Sequence, residues 1–167
     1  KEGLLYVKGR FKSLLISSDG EKYSPEGIEE ALVEKSPYID QVMLYNNQCA
    51  TTTALVVPNK DALRRYLKDN GQKLESEEGK KMALLKLESE LARFKKGGEF
   101  QGMFPERWLP SSFAVLAEPF TEQNQMINST MKMVRPKIEK AYKERIDYMY
   151  TSEGKQTMNQ QNIDAIA

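Results

Sequence analysis

The sequence predicts an α+β domain in which helices pack on a small, mostly antiparallel sheet. The first 70 residues alternate short β-rich runs with helical stripes in the order ββαββα. A further strand at residues 113–116 and a C-terminal helix at 135–150 complete the pattern. With 167 residues, the chain has the length of about one domain.

The first element is a hairpin formed by β-rich runs on both sides of Ser18-Asp19-Gly20. Asp-Gly favours a chain reversal because glycine adopts a positive φ without steric cost. Ser24-Pro25-Glu26 then predicts a helix start, with the serine side chain accepting from the first free N–H groups. We expect this helix to end near Ser36-Pro37.

The next elements are two β-rich runs, residues 39–45 and 52–58, joined by a polar turn at 46–49. This arrangement predicts an antiparallel pair. Residues 61–68 and Asn70-Gly71 are typical of a helix and its stop.

The second half of the chain contains an extra helix, which we expect at residues 80–96. Its stripe recurs at 3-4-3 spacing and predicts a core-facing side rather than a coiled-coil seam; its members are Leu84, Leu87, Leu91 and Phe94. A loop follows at 100–110. The polar segment 151–167 is either a short terminal helix or a frayed tail.

Composition excludes several classes of function. The chain has no histidine, which rules out a Ser-His-Asp triad and any His-ligated metal site within it. Cys49 is the single cysteine, so no internal disulfide can form, in keeping with a reducing cytoplasm. The 25 basic residues nearly cancel the 24 acidic ones, which argues against nucleic acid as a partner and leaves at most a peripheral membrane contact. Because the chain starts on strand-like residues without Met, we expect a fragment of a longer polypeptide.

The first motif consists of Gly9, Arg10 and Lys12, a strand at 14–17, Gly20, and then Pro25 and Glu29 at the start of a helix. This order closely resembles the start of the C-terminal subdomain of the AMP-forming acyl-CoA synthetases, a branch of the adenylate-forming superfamily. The resemblance covers residues 3–69 and 111–150.

The second motif is Thr130-x-Lys132-x-x-Arg135, which follows an acidic turn beginning at Glu118. It resembles the closing motif of the long-chain fatty acid branch of that family, in which the lysine is catalytic. Two positions depart from the family pattern: Asn124-Gln125 stands where Asn-Gly is usual, and Asn128-Ser129 where Thr-Pro is usual.

The resemblance implies that the chain is the mobile lid of an ATP-dependent long-chain fatty acid CoA ligase. The substrates would be a fatty acid, ATP and CoA, and the partner would be the enzyme's own N-terminal adenylation domain, which would hold most of the Mg²⁺ contacts. A hinge and first strand would occupy residues 1–12, the lid residues 13–150, and a tail residues 151–167. Within the lid, residues 72–110 would form an extra helix and loop. The isolated chain is expected to be inactive.

The resemblance also implies a role for individual residues. Lys132 would be catalytic in forming the acyl-adenylate, Arg10 would contact the nucleotide, and Lys12 would be the hinge. The CoA tunnel would be lined by Ile16, Ser17, Ser18, Asp19 and Gly20.

The aromatic residues carry a weaker signal. Tyr23 and Phe11 could pack on a nucleotide or on pantetheine, but we expect the aromatic set to build the core. The set comprises Tyr6, Phe11, Tyr23, Trp108 and Phe120.

Two other classes of function compete with the ligase lid. A stand-alone α+β module that binds a ligand or partner without catalysis would make Lys132 and Lys12 replaceable. An RNA-binding sheet would need surface aromatics within a basic field, which the net charge of +1 disfavours.

Overall fold

A computed structural model describes residues 14–167 and confirms the α+β class. The strands of this part of the chain are β1 (Leu15–Ser17), β2 (Lys22–Tyr23), β3 (Ile39–Tyr45), β4 (Asn47–Cys49), β5 (Thr52–Pro58) and β6 (Pro110–Val115). Its helices are α1 (Glu26–Glu34), α2 (Lys60–Asp69), α3 (Glu77–Ala92), α4 (Arg135–Ala141), α5 (Lys143–Tyr148) and α6 (Gln160–Ile166), with a 3-10 turn at Glu106–Trp108.

The strands form two small mixed sheets rather than one mostly antiparallel sheet. The central sheet has the order β3-β5-β6, with β3 and β5 antiparallel and β5 and β6 parallel. The hairpin sheet has the order β2-β1-β4, with β1 antiparallel to β2 and parallel to β4. Parallel neighbours need a long connection, and α2, α3 and the 3-10 turn supply it between β5 and β6.

The central sheet separates two apolar cores, because successive side chains of a strand point to opposite faces. On β3, Val42 and Leu44 enter the larger core, whereas Met43 between them enters the smaller core. The larger core also receives side chains of α1, α2, α3, α6 and the hairpin sheet. The smaller core receives side chains of α4, α5 and the segment between β6 and α4.

The N-terminal elements agree with the sequence in all but two details. Gly20 has a φ of +89° in the turn between β1 and β2, as the Asp-Gly pair predicts. The expected cap by Ser24 is wrong: Pro25 takes the N-cap position of α1 with helical angles, and no side chain caps the helix. The turn expected at 46–49 contains β4, which the polar residues of that segment did not reveal.

The C-terminal elements differ more from expectation. The single helix expected at 135–150 is two short helices, because Tyr142 leaves the helical region with φ −115° and ψ 25°. The tail forms α6, and Ile166 of this helix is fully buried in the larger core. The terminal helix is therefore the correct one of the two alternatives for this segment.

Candidate functional site

Lys132 lies on a tight loop that we call the Lys132 loop, residues 127–133, closed by a β-bridge between Ile127 and Met133. The loop is organised by Asn128, whose Oδ1 accepts from the Thr130 N–H at 3.0 Å, the Thr130 hydroxyl at 2.7 Å and the Lys132 N–H at 3.0 Å. The Asn128 N–H in turn donates to the Lys132 carbonyl at 2.9 Å. The backbone of Lys132 is thus held in place while its side chain stays exposed.

The end of this loop is anchored by an ion pair. Arg135, the first residue of α4, donates through both terminal nitrogens to the carboxylate of Glu29 in α1, with Nη1 to Oε2 at 2.9 Å. The Leu44 N–H on the outer edge of β3 also donates to Glu29 Oε2, at 2.7 Å. Burial raises the pKa of the Glu29 carboxyl, whereas Arg135 and the Leu44 N–H act in the opposite direction.

The turn before the loop is tied to β3 by Gln41. Its amide accepts from the Phe120 N–H at 2.8 Å and donates to the Phe120 carbonyl at 3.0 Å. Asn124 Oδ1 then accepts from the N–H groups of Thr121 and Met126, at 2.9 and 3.1 Å.

Gln125 in this turn adopts a φ of +64°, in the left-handed region that favours glycine. It stands where the family pattern has glycine. The turn therefore keeps the conformation that glycine would allow, although its residue is glutamine.

The turn between β1 and β2 is a second, separate candidate surface. Asp19 accepts from the Ser17 hydroxyl and, at 3.1 Å, from the Glu21 N–H. The hydrogen bond from Ser17 lowers the pKa of Asp19. Ser18, Asp19 and Gly20 are exposed, whereas Ile16 and Ser17 are half-buried.

The 3-10 turn holds this hairpin from the side. Arg107 donates to both carboxylate oxygens of Glu21, at 2.7 and 2.8 Å, which lowers the pKa of Glu21. Trp108 stacks on Tyr23 with a centroid distance of 5.2 Å and an interplanar angle of 7°. Tyr23 is buried, so it belongs to the core as expected, whereas Tyr6 and Phe11 of the aromatic set lie outside the described residues.

The two candidate surfaces lie on opposite faces of the central sheet. Leu15 and Tyr23 of the hairpin pack into the larger core, whereas Ile127 of the Lys132 loop packs into the smaller core. Arg10 and Lys12 lie outside the described residues.

Residues 14–167 contain no group of three or more His, Cys, Asp or Glu residues that could hold a metal ion. The helices of the same range include none that is long and apolar enough to cross a membrane.

Sequence reasoning did not assign roles to Glu29, Arg135, Gln41 or Arg107. One signal was available for the ion pair: α4 begins with arginine and has no acidic residue in its first turn. A cation at a helix N-terminus is electrostatically unfavourable, so it indicates a partner from elsewhere in the chain.

Comparison with known proteins identifies the fold. A family model described as the AMP-binding enzyme C-terminal domain matches residues 12–76, which include the hairpin, α1 and the β3–β5 pair. This part of the chain is therefore similar to the AMP-binding enzyme C-terminal domain. Solved structures agree: the adenylation domain of a carboxylate reductase from Mycobacterium chelonae is 27% identical with a TM-score of 0.65, over 83% of this chain and 19% of that chain.

Curated proteins similar to this chain are much longer. A chloroplastic long-chain-fatty-acid–[acyl-carrier-protein] ligase of Arabidopsis thaliana is 27% identical over 89% of this chain and 18% of its own length. A long-chain-fatty-acid–CoA ligase of Gallus gallus is 25% identical over 99% of this chain and 24% of its own length. A carboxylic acid reductase of Mycobacterium tuberculosis is 29% identical over 85% of this chain and 11% of its own length. The chain thus spans about a quarter or less of these relatives.

Proposed function

We propose that this chain is the mobile C-terminal lid of an ATP-dependent long-chain fatty acid CoA ligase. The lid would occupy residues 13–150, follow a hinge at Lys12 and act with an N-terminal adenylation domain of the same protein in the cytoplasm. On its own the chain would be inactive, because it has no phosphate-binding loop of the Gly-x-x-x-x-Gly-Lys type.

Lys132 would serve the first half-reaction. In that step a carboxylate oxygen of the fatty acid attacks the α-phosphorus of ATP, and pyrophosphate leaves with the electrons of the broken P–O bond. The ammonium of Lys132 would lie between the attacking carboxylate and the α-phosphate, where negative charge gathers in the transition state. Arg10 would contact the nucleotide. Mg²⁺ would be held mainly by the N-terminal domain.

The turn between β1 and β2 would serve the second half-reaction. There the thiol sulfur of CoA attacks the carbonyl carbon of the acyl-adenylate, AMP leaves, and the thiol proton passes to solvent. Gly20 lacks a Cβ and has open space around it, so pantetheine could approach its backbone closely. The tunnel would also be lined by Ile16, Ser17, Ser18 and Asp19.

The observation that carries this proposal is the location of the two surfaces on opposite faces of the central sheet. A rotation of the lid about Lys12 would present one face and then the other to a single active site. Support for Lys132 comes from its loop: the backbone is fixed by Asn128, while the side chain is free to reach a substrate.

The test separates the two half-reactions in the complete gene product. Pyrophosphate release is measured with ATP, Mg²⁺ and a panel of fatty acids, and thioester formation is measured from supplied acyl-adenylate and CoA. Lys132→Ala removes one donor aimed at developing charge, so we expect adenylation to fall by about 100- to 1,000-fold while thioester formation persists. Lys155→Ala, an exposed lysine in the tail, is the matched control and should change neither rate.

The outcomes discriminate between the candidate functions. If both half-reactions survive Lys132→Ala, the lysine is a surface residue and the proposed role is wrong. If the complete product releases no pyrophosphate with any acid, the stand-alone binding module is favoured instead. Parallel assays with CoA and with a phosphopantetheinylated carrier protein identify the acceptor, and transfer to the carrier alone would refute the CoA assignment.

A further inference from the structure

The ion pair between Glu29 and Arg135 joins the two sequence motifs. The two residues lie 106 positions apart in the sequence. Glu29 belongs to the motif that contains the hairpin, and Arg135 ends the motif that contains Lys132. The side chains of Glu29 and Arg135 are only 6% and 13% exposed. The buried ion pair therefore holds the Lys132 loop to the motif that contains the hairpin.

The geometry of the pair is restrictive. A guanidinium that donates two parallel hydrogen bonds to one carboxylate fixes orientation as well as distance. Glu29 is itself held, because its Oε2 also accepts from the Leu44 N–H of β3 at 2.7 Å. Arg135 is three residues after Lys132, so little chain separates the anchor from the exposed lysine.

Local electrostatics disfavours this ion pair. Arg135 occupies the positive end of α4, where a cation is disfavoured, and burial of the Glu29 carboxylate is costly. Replacement of such a pair by apolar residues is often neutral or stabilising. Stability alone therefore explains this ion pair poorly. A requirement to place the preceding Lys132 loop accurately explains both unfavourable features.

We propose that Glu29 is a positioning residue for adenylation: through Arg135 it sets where the Lys132 ammonium lies relative to the reacting groups. This inference rests on the proposed function of Lys132. A misplacement of about 1 Å from a change outside the reacting centre can cost about 100-fold in rate. Glu29 itself touches no substrate, and its effect passes through the arginine and the loop.

The test compares two buried glutamates in the complete gene product. Glu29→Gln keeps the shape of the side chain but removes the charge that orients Arg135. Glu90→Gln is the matched control: the Glu90 side chain is also 6% exposed and pairs with Arg93 at 2.8 Å, but it lies in α3 on the larger core. We expect Glu29→Gln to lower the kcat of pyrophosphate release by about 10- to 100-fold, with little change in thioester formation, and Glu90→Gln to spare both.

Arg135→Lys provides a second variant in case Glu29→Gln does not fold. Lysine keeps the positive charge but cannot form the two-pronged contact, so the same selective loss of adenylation is expected. Hydrogen exchange gives a readout that does not depend on activity. The Lys132 N–H, which donates to Asn128, should exchange faster in Glu29→Gln and Arg135→Lys than in Glu90→Gln.

Three results would overturn the proposal. Full adenylation in Glu29→Gln and Arg135→Lys, combined with its loss in Lys132→Ala, would refute positioning and leave the proposed function intact. Equal losses in both half-reactions would reduce the pair to a structural contact. Retention of adenylation in Lys132→Ala would instead refute the proposed function, and the positioning role with it.

Discussion

Asn162 provides the sharpest test of how the C-terminal segment stabilises the fold. It lies in α6 with no exposed surface, and its Oδ1 accepts from the Val115 N–H at 2.8 Å and from Arg145 at 3.0 Å. Its Nδ2 donates to the carbonyls of Phe113 and Thr157, each at 3.0 Å. One side chain therefore satisfies both a donor and an acceptor on the outer edge of β6.

Asn162→Ala would leave the Val115 N–H and the Phe113 carbonyl without partners in a buried place. Each unsatisfied buried group costs about 1–3 kcal/mol, so the two together predict a loss of about 2–6 kcal/mol in the free energy of unfolding. With a urea m-value of about 2 kcal/mol/M, the midpoint would fall by about 1–3 M. The assay is urea unfolding of the chain, followed by circular dichroism and tryptophan fluorescence.

The control for this prediction is Asn59→Ala. Asn59 caps α2 by accepting from the Ala62 N–H at 3.0 Å, and loss of such a cap costs about 1 kcal/mol. If Asn162→Ala destabilises the chain no more than Asn59→Ala does, the bonds to β6 contribute little and the reasoning is refuted.

Two further predictions concern backbone strain and pH. Gln125→Gly removes a left-handed cost of about 1–2 kcal/mol, offset by about 0.5–1 kcal/mol of added freedom in the unfolded chain. The net gain of up to about 1.5 kcal/mol should raise the urea midpoint, and an unchanged or lower midpoint would contradict the strain at its φ of +64°. Burial lowers the pKa of Lys95 below its usual 10.5. The folded state therefore binds the Lys95 proton less well than the unfolded state, which destabilises the fold at neutral pH. This destabilisation disappears as the pH rises towards 10.5. Lys95→Met should therefore have a higher Tm than the parent at pH 7, with a gap that narrows by pH 10.5; a gap that is constant with pH would exclude this origin.

The elements that sequence predicted best are those whose pattern is set by local contacts. The β3–β5 pair has the expected bounds, Ile39–Tyr45 and Thr52–Pro58, because both runs are rich in apolar residues and a short connection joins them. The stripe of α3 is buried as expected, since its spacing requires one helix face to meet the core. The stripe comprises Leu84, Leu87, Leu91 and Phe94.

The elements that sequence missed depend on distant partners. β4 is polar and three residues long, and only its pairing with β1 makes it a strand. The β5–β6 pair is parallel because a long segment intervenes, a choice that neither strand encodes alone.

The candidate site divides in the same way. Lys132 was predicted from its motif, and that role is untested. Its anchor through Arg135 to Glu29 spans most of the chain and has no local signature beyond an arginine at a helix start. The domain boundaries and the roles of Lys132, Arg10, Lys12 and the hairpin residues stay predictions.

Among residues 14–167, side chains rather than further strands bond to both outer edges of the central sheet. At one edge the Glu29 carboxylate accepts a hydrogen bond from the Leu44 N–H of β3. At the other edge Asn162 accepts from the Val115 N–H and donates to the Phe113 carbonyl of β6. An exposed edge strand has unpaired N–H and carbonyl groups, to which a strand of a second molecule can pair and so start aggregation. At these positions a neighbouring chain finds no free N–H or carbonyl to pair with, so the residues that tie the two ends of the domain together also limit strand addition there.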